Sequence, residues 1–158
     1  MPSMTRRTAL AAFAACAFAT AVAFPAGAQP KAGEPLKIGF VYVSPIGDAG
    51  WTFQHDTGRK EMEKALGAKV TSKYIESVPE GADAERVIRE LAQSGHQLIF
   101  TTSFGYMNPT IKVAGTFPKT QFEHATGYKS AKNVGIYNAR FYEGRYLAGI
   151  VAGRMSKS

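Results

Sequence analysis

Cysteine is almost absent from this chain, and its scarcity excludes several kinds of chemistry. Cys16 is the single cysteine among 158 residues, so no disulfide can form within the chain. Cys16 also lies within residues 1–28, which have the features of a removable export signal. The mature protein would then contain no thiol, which excludes a cysteine nucleophile and a thiolate metal site.

Signatures of nucleotide, metal and nucleic-acid chemistry are also missing. No P-loop is present, and no glycine-rich dinucleotide spacing follows the first predicted strand. His55, His96 and His124 lack the short spacings of a metal site, and each is interpreted as a surface or hydrogen-bonded structural residue. No basic run with interleaved aromatic residues occurs, and no carboxylate pair suggests acid–base catalysis. We therefore predict no cofactor, no metal, no nucleic-acid partner and no enzymatic activity.

Residues 1–28 have the parts of a secretory signal peptide. Arg6 and Arg7 form a charged start, residues 10–24 are uncharged and rich in alanine, and residues 26–28 form an A-x-A cleavage pattern. A membrane anchor is the alternative, but residues 10–24 fall short of the about 20 apolar residues that a spanning helix needs. The mature protein is therefore expected in the periplasm.

Two details of export stay open. The adjacent Arg6 and Arg7 resemble the start of a twin-arginine signal, which usually carries prefolded proteins. Residues 13–16, which end at Cys16, faintly resemble a lipoprotein cleavage box. The apolar run continues past Cys16, whereas a lipidated cysteine normally ends such a run, so a lipid anchor is not expected.

Cleavage after Ala28 would leave a chain suited to one domain with one core. The formal net charge of +7 would fall to +5 with the loss of Arg6 and Arg7, and the remaining charges are spread along the chain. Residues 29–36 are predicted to be a polar tether, and residues 37–158 are predicted to form one ligand-binding lobe.

Apolar runs alternate with helical patterns along that lobe. The patterns predict strands over 37–43, 69–75, 97–102, 121–126 and 133–137, and helices over 51–66, 83–93, 108–116 and 141–155. Such alternation predicts an α/β fold with a mostly parallel sheet and helices on both faces. The first strand is nearly all apolar and is predicted to be buried on both faces. The small residues of the last helix, Ala148, Gly149, Ala152 and Gly153, are predicted to form a close-packing face. The loops after the strands would then meet at one edge, where open α/β sheets bind ligands.

The loop after the first strand carries two candidate ligand-binding residues, Asp48 and Trp51. Asp48 has glycines nearby and precedes a helix, so its carboxylate either accepts hydrogen bonds from a ligand or caps that helix. Trp51 either offers an aromatic face to a ring or closes the core.

The loops after the third and fifth strands supply the other candidates. Ser103 and Asn108 have the right chemistry to hydrogen-bond a ligand. Phe104 or Tyr106 could stack on it, and Gly105 allows close backbone approach. Asn138 and Arg140 are expected to face the same crevice. The alternative for residues 101–108 is an ordinary strand-to-helix turn capped by Asn108. A serine nucleophile is not expected, because the segment TSFG lacks the glycine-flanked elbow of hydrolases.

Four segments together resemble the basic membrane protein family of periplasmic substrate-binding proteins. They are IGFVYVSPIGDAGW, TTSFGYMN, HATGYK and NARFYEGRYLAGIVAG, and they lie in order over nearly the whole mature chain. The resemblance implies a type I periplasmic-binding-protein fold and a purine-nucleoside receptor that delivers its ligand to an ABC permease. It also implies ligand-binding roles for Asp48, Trp51, Ser103, Phe104 and Gly105. Trp51 departs from the phenylalanine expected in nucleoside receptors, which leaves the particular purine open.

Length is the main departure from that family. Its receptors have two lobes of about 100 to 150 residues each. This chain is therefore expected to be a monomeric fragment that lacks the second lobe and binds weakly alone. A sugar receptor of the same fold, an exported nucleoside-processing enzyme and an interaction module without a ligand remain as alternatives.

Overall fold

Five strands and four α-helices make up the part of the chain that the computed structural model describes, residues 33–157, and they alternate except that β5 directly follows β4. The predicted signal segment and residues 29–32 of the predicted tether lie outside the described residues. Every predicted element is present, and each bound lies within two residues of its prediction. In chain order the elements are β1 (Leu36–Val41), α1 (Trp51–Leu66), β2 (Val70–Ile75), α2 (Ala82–Gln93), β3 (Leu98–Thr101), α3 (Met107–Ala114), β4 (Gln121–Ala125), β5 (Val134–Tyr137) and α4 (Phe141–Met155).

The five strands form one sheet in the order β2-β1-β3-β4-β5, and every neighbouring pair is parallel. The register aligns Phe40 of β1 with Phe100 of β3, and Phe100 with Glu123 of β4. This arrangement confirms the predicted α/β class. It also places the carboxyl ends of all five strands at one edge, as the sequence pattern predicted.

Apolar side chains cover both faces of the interior strand β1. Ile38, Phe40 and Tyr42 pack towards α1, whereas Val41 belongs to the larger cluster formed with α2 and α3. Burial on both faces explains why the sequence of β1 is almost continuously apolar rather than alternating. Helices therefore lie on both faces of the sheet, as predicted.

Helix α1 packs on the sheet through an unusually polar stripe. Its buried residues are Thr52, Asp56 and Arg59, at the spacing of one helix face. Arg59 Nε donates to Asp56 Oδ1 at 2.8 Å, and the Arg59 guanidinium lies 4.8 Å from the ring centroid of Tyr74. Tyr42 of the sheet donates to the same Asp56 oxygen at 3.5 Å. Charge pairing therefore takes the place of an apolar stripe on this helix.

Helix α4 has the predicted bounds but not the predicted packing. Its small residues, which include Gly149 and Gly153, were expected to form a close-packing face. Instead every residue of α4 is exposed, and a side chain added at either glycine would meet nothing within 4 Å among the described residues. Leu147 is 63% exposed and Val151 is 57% exposed. Among residues 33–157, ring contact between α4 and the rest of the lobe is confined to its first residue, Phe141, against Trp51.

Candidate ligand-binding site

Two adjoining clefts lie at the carboxyl edge of the sheet. The first has a volume of about 490 Å³, and we call it the Tyr137 cleft. The second, of about 1080 Å³, is wider, and we call it the Phe104 cleft. The Tyr137 cleft is lined by Gly50, Trp51, Gln54, His55, Ala125, Thr126, Tyr137, Asn138, Ala139 and Phe141. The Phe104 cleft is lined by Val43, Trp51, Ser103, Phe104, Thr126, Asn138, Ala139, Arg140, Phe141, Glu143, Gly144 and Arg145.

Trp51 lines both clefts, and its indole ring is held from several sides. Its Nε1 donates a hydrogen bond of 2.5 Å to the backbone oxygen of Thr102, just after β3. Its ring centroid lies 4.8 Å from that of His55 and 5.6 Å from that of Phe141. The side chain nevertheless stays 39% exposed. Trp51 therefore does not close the core, and it presents part of an oriented aromatic surface to the clefts.

His55 and Tyr137 form part of the wall of the Tyr137 cleft. His55 Nδ1 and the Tyr137 hydroxyl lie 3.4 Å apart, and their rings meet edge to face. Burial lowers the pKa of His55 and raises the pKa of Tyr137, so both side chains are neutral near pH 7. Sequence reasoning placed His55 among the structural histidines. Its spacing from Trp51, one helical turn along α1, was the signal that could have linked the two residues.

Glu80 holds the loop that contains the predicted residues Ser103 and Gly105. Its Oε1 accepts a 2.5 Å hydrogen bond from Ser103 Oγ and a 3.1 Å hydrogen bond from the Gly105 backbone N–H. A side chain at residue 105 would overlap the Glu80 carboxylate, so Glu80 would have to move and this contact would change. Sequence reasoning missed Glu80, although it lies in one of the loops that were expected to converge.

Asp48 lines neither cleft. It is exposed and makes no hydrogen bond or ion pair with the described residues. Helix α1 begins after Gly50 with no side-chain cap, so the alternative that Asp48 caps this helix is wrong. The Ile46 backbone N–H donates to Glu76 Oε2 at 2.9 Å, which ties the first part of the loop to the end of β2.

The remaining predicted residues, Phe104, Asn138 and Arg140, all line at least one of the clefts. Phe104 is 55% exposed, with its ring centroid 6.3 Å from that of Tyr128. Asn138 lines both clefts, and Arg140 lines the Phe104 cleft while forming a 3.2 Å ion pair with Glu143.

Tyr106 and Asn108, which follow this loop, do not have the roles considered for them. Tyr106, considered for stacking, is fully buried and donates to the backbone oxygen of Val78 at 2.6 Å. Asn108 lies inside α3 rather than capping it, and its Oδ1 accepts a 2.8 Å hydrogen bond from Lys129.

Within residues 33–157, no group of histidine, cysteine and acidic side chains is arranged to hold a metal ion. His96 and His124 are hydrogen-bonded inside the fold, through Leu91 O and Thr101 Oγ1 respectively. Within the same residues, no helix combines the length and the apolar character needed to cross a membrane.

A parallel sheet with ligand-sized clefts at its carboxyl edge is the architecture of a ligand-binding α/β lobe. A solved ABC-transporter solute-binding protein from Aeropyrum pernix K1 superposes with a TM-score of 0.62 at 25% identity. The match covers 75% of this chain and 32% of that one.

The family follows from the sequence of the same lobe. Residues 36–158 match the family model Bmp, described as ABC transporter substrate-binding protein PnrA-like, and the chain belongs to this family. This confirms the resemblance found in the four segments.

Two named relatives differ in the ligand that their names give. A purine-binding protein of Brucella abortus is 59% identical over 139 residues, which is 88% of this chain and 40% of that protein. A Haloferax volcanii protein, provisionally named an ABC transporter glucose-binding protein, is 42% identical over 84% of this chain and 33% of its own length. This chain thus spans about two fifths or less of these relatives.

Proposed function

We propose that this chain is the ligand-binding lobe of an extracytoplasmic receptor that delivers a purine nucleoside, or a related purine, to an ABC permease. The observation that carries this proposal is the lining of the Tyr137 cleft. It combines three aromatic rings and one imidazole with two amide side chains and a hydroxyl, and none of its lining residues is acidic, lysine or arginine. Such a lining suits a flat, uncharged heteroaromatic ring.

The two clefts together match the two parts of a nucleoside. The base would stack against Trp51 in the Tyr137 cleft, where Gln54 and Asn138 offer amide groups that can both donate and accept hydrogen bonds. The ribose would extend into the Phe104 cleft, which Ser103 and Arg140 also line. We include Phe104 in the site as a stacking side chain, and Gly105 as the backbone that brings Ser103 into place. We also include Asp48, which would reach the ligand only from its exposed loop.

A sugar alone is the second candidate. The Phe104 cleft is the wider of the two and contains the charged residues Arg140, Glu143 and Arg145, which suit hydroxyl groups. The relative provisionally named as glucose-binding supports the same candidate. The aromatic lining of the Tyr137 cleft would then have no partner ring, which is why we favour the purine. That the chain catalyses no reaction remains a prediction from its family.

Transport by a periplasmic receptor requires parts that lie beyond the described lobe. We propose that residues 1–28 direct export and that a second lobe, as the greater length of the relatives suggests, closes over the two clefts in the functional receptor. A single lobe covers one side of the ligand only. Its affinity should therefore be weak, and the binding assay must tolerate millimolar ligand.

The single tryptophan makes the proposal testable by NMR. In a ¹⁵N-labelled chain, one indole N–H signal reports on Trp51. Adenosine, guanosine and inosine should shift it saturably, whereas D-glucose should not. Trp51→Phe should retain binding, followed through backbone amides, and Trp51→Ala should lose it, because stacking needs an aromatic face. A saturable shift with D-glucose alone would replace the purine assignment with the sugar, and no shift with any nucleoside would refute it.

A further inference from the structure

Thr126 has a backbone conformation that threonine rarely adopts. Its φ of 68° lies in the left-handed region, where the branched side chain crowds the backbone. Ser77, with φ of 57°, is the other non-glycine residue with positive φ in the described chain. Both residues follow directly or closely on the carboxyl end of a strand, Thr126 after β4 and Ser77 after β2.

Neighbouring contacts determine the course of the chain at Thr126. Its backbone N–H donates to the Tyr137 oxygen at 2.9 Å, which continues the pairing of β4 with β5. The next residue, Gly127, lies so close to the His124 ring that an added side chain would overlap it. These contacts fix the backbone on both sides of residue 126. Glycine at position 126 would adopt the same positive φ without strain. The turn itself gives no reason for a threonine there.

The side chain of Thr126 supplies a reason. It lines both the Tyr137 cleft and the Phe104 cleft, so it lies where the two clefts adjoin. Its hydroxyl makes no hydrogen bond with the described residues and is not one of their buried unpartnered polar atoms, so it is accessible to a molecule in the clefts. Backbone strain of this kind is concentrated at functional sites, where the surrounding structure maintains it.

We propose that Thr126 is a ligand-contacting residue whose hydroxyl hydrogen-bonds the bound nucleoside near the junction of base and ribose. The inference rests on the proposed function, because a ligand that spans both clefts must pass this junction. A hydroxyl can donate to a ring nitrogen or accept from an N–H or O–H group, so it suits the polar edge of such a ligand. Ser77 lines neither cleft and provides a matched residue with the same backbone conformation.

Variants at the two positions separate strain from binding. Thr126→Val keeps the branched shape but lacks the hydroxyl, and it should weaken adenosine binding about tenfold, the value of one hydrogen bond. Thr126→Ser keeps the hydroxyl and should bind within about threefold of the parent chain. Thr126→Gly should weaken binding like the valine variant while its melting temperature does not fall. Ser77→Gly should likewise not lower the melting temperature, and it should leave binding unchanged.

The experiment titrates the full chain and each variant with adenosine and, separately, with D-glucose, and records amide shifts and melting temperatures. Equal adenosine affinity of the parent chain, Thr126→Val and Thr126→Gly would overturn the role of Thr126 while the purine assignment stands. If the parent chain binds D-glucose but not adenosine, and Thr126→Val loses this binding, the role of Thr126 stands and the purine assignment is overturned. A parent chain that binds neither ligand overturns both. An equal loss of adenosine affinity in Ser77→Gly would show that removing any residue of positive φ weakens binding, and it would overturn the inference.

Discussion

Asp56→Ala is expected to destabilise the lobe strongly, because Asp56 compensates a buried cation. The side chain of Asp56 is 1% exposed and that of Arg59 is 9% exposed. Removal of one member of a buried ion pair costs about 3–5 kcal/mol. Arg59 would still reach Glu63 and Ser72, each at 3.0 Å, so we expect a loss near the lower end, about 3 kcal/mol.

Urea and thermal unfolding of the variant measure this loss. In a domain of this size, about 3 kcal/mol corresponds to a fall of about 10 °C in melting temperature. Glu90→Ala is the matched control, because Glu90 pairs with Arg86 on α2 at similar helical spacing while both side chains are more than half exposed. Exposed pairs contribute about 0–1 kcal/mol. Equal losses in the two variants would refute the argument that burial makes the Asp56 pair important.

Two further measurements test the same reasoning. Asp56→Ala combined with Arg59→Met should recover part of the lost stability, since no buried charge is then left unpaired. Burial raises the pKa of Asp56, but hydrogen bonds from Lys60 and Arg59 outweigh it and hold the pKa below its ordinary value. The contribution of Asp56 should therefore be complete above its unfolded pKa of about 3.9 and be lost as the pH falls through the lower folded pKa.

Three other predictions concern separate parts of the lobe. Glu80→Ala should accelerate hydrogen exchange of the Gly105 amide, because the acceptor of its hydrogen bond is lost. The Ile46 amide, which donates to Glu76 instead, should exchange at an unchanged rate. Equal acceleration at both amides would contradict the role of Glu80 in holding the loop. Burial lowers the pKa of His124, so the unfolded chain takes up a proton at a higher pH than the folded chain does. The free energy of unfolding should therefore fall as the pH drops from about 7 to 5. His124→Gln should flatten this dependence in urea titrations, and an unchanged slope would argue against it. Leu147→Glu, on the exposed face of α4, should change the free energy of unfolding in urea by less than about 0.5 kcal/mol. A large loss of stability would mean that α4 packs on the lobe.

Much of the fold was predictable because each element carries a local signal. The apolar run of β1 predicted a strand buried on both faces, and Ile38 and Val41 are indeed buried on opposite sides of it. Gly67 and Gly95 mark the ends of predicted helices, and both have positive φ. The polar inner face of α1 was not predictable, because Asp56 and Arg59 meet Tyr42, which lies on the strand before the helix, only after the sheet forms.

Part of the arrangement at the candidate site was predictable from topology. Trp51 and Asn138 follow different strands of one parallel sheet, so topology alone was enough to place them at the same edge. The hydrogen bonds that Glu80 accepts from Ser103 and Gly105 depend on the orientation of one flexible side chain. No periodicity in the sequence indicates this orientation. The packing of α4 was predicted wrongly because its small residues indicate close packing without indicating on which partner.

By itself, the sequence determined the class of the protein and the edge of the sheet where a ligand would bind. Hydrophobic periodicity and turn residues are local properties, and a parallel sheet gathers strand ends whatever the details of packing. Only the tertiary structure decided that Trp51 is an oriented, partly exposed ring, that His55 and Tyr137 complete an uncharged wall, and that Thr126 is strained between two clefts. These features depend on distances and backbone angles set by contacts between residues far apart in the chain, as between Trp51 and Thr102.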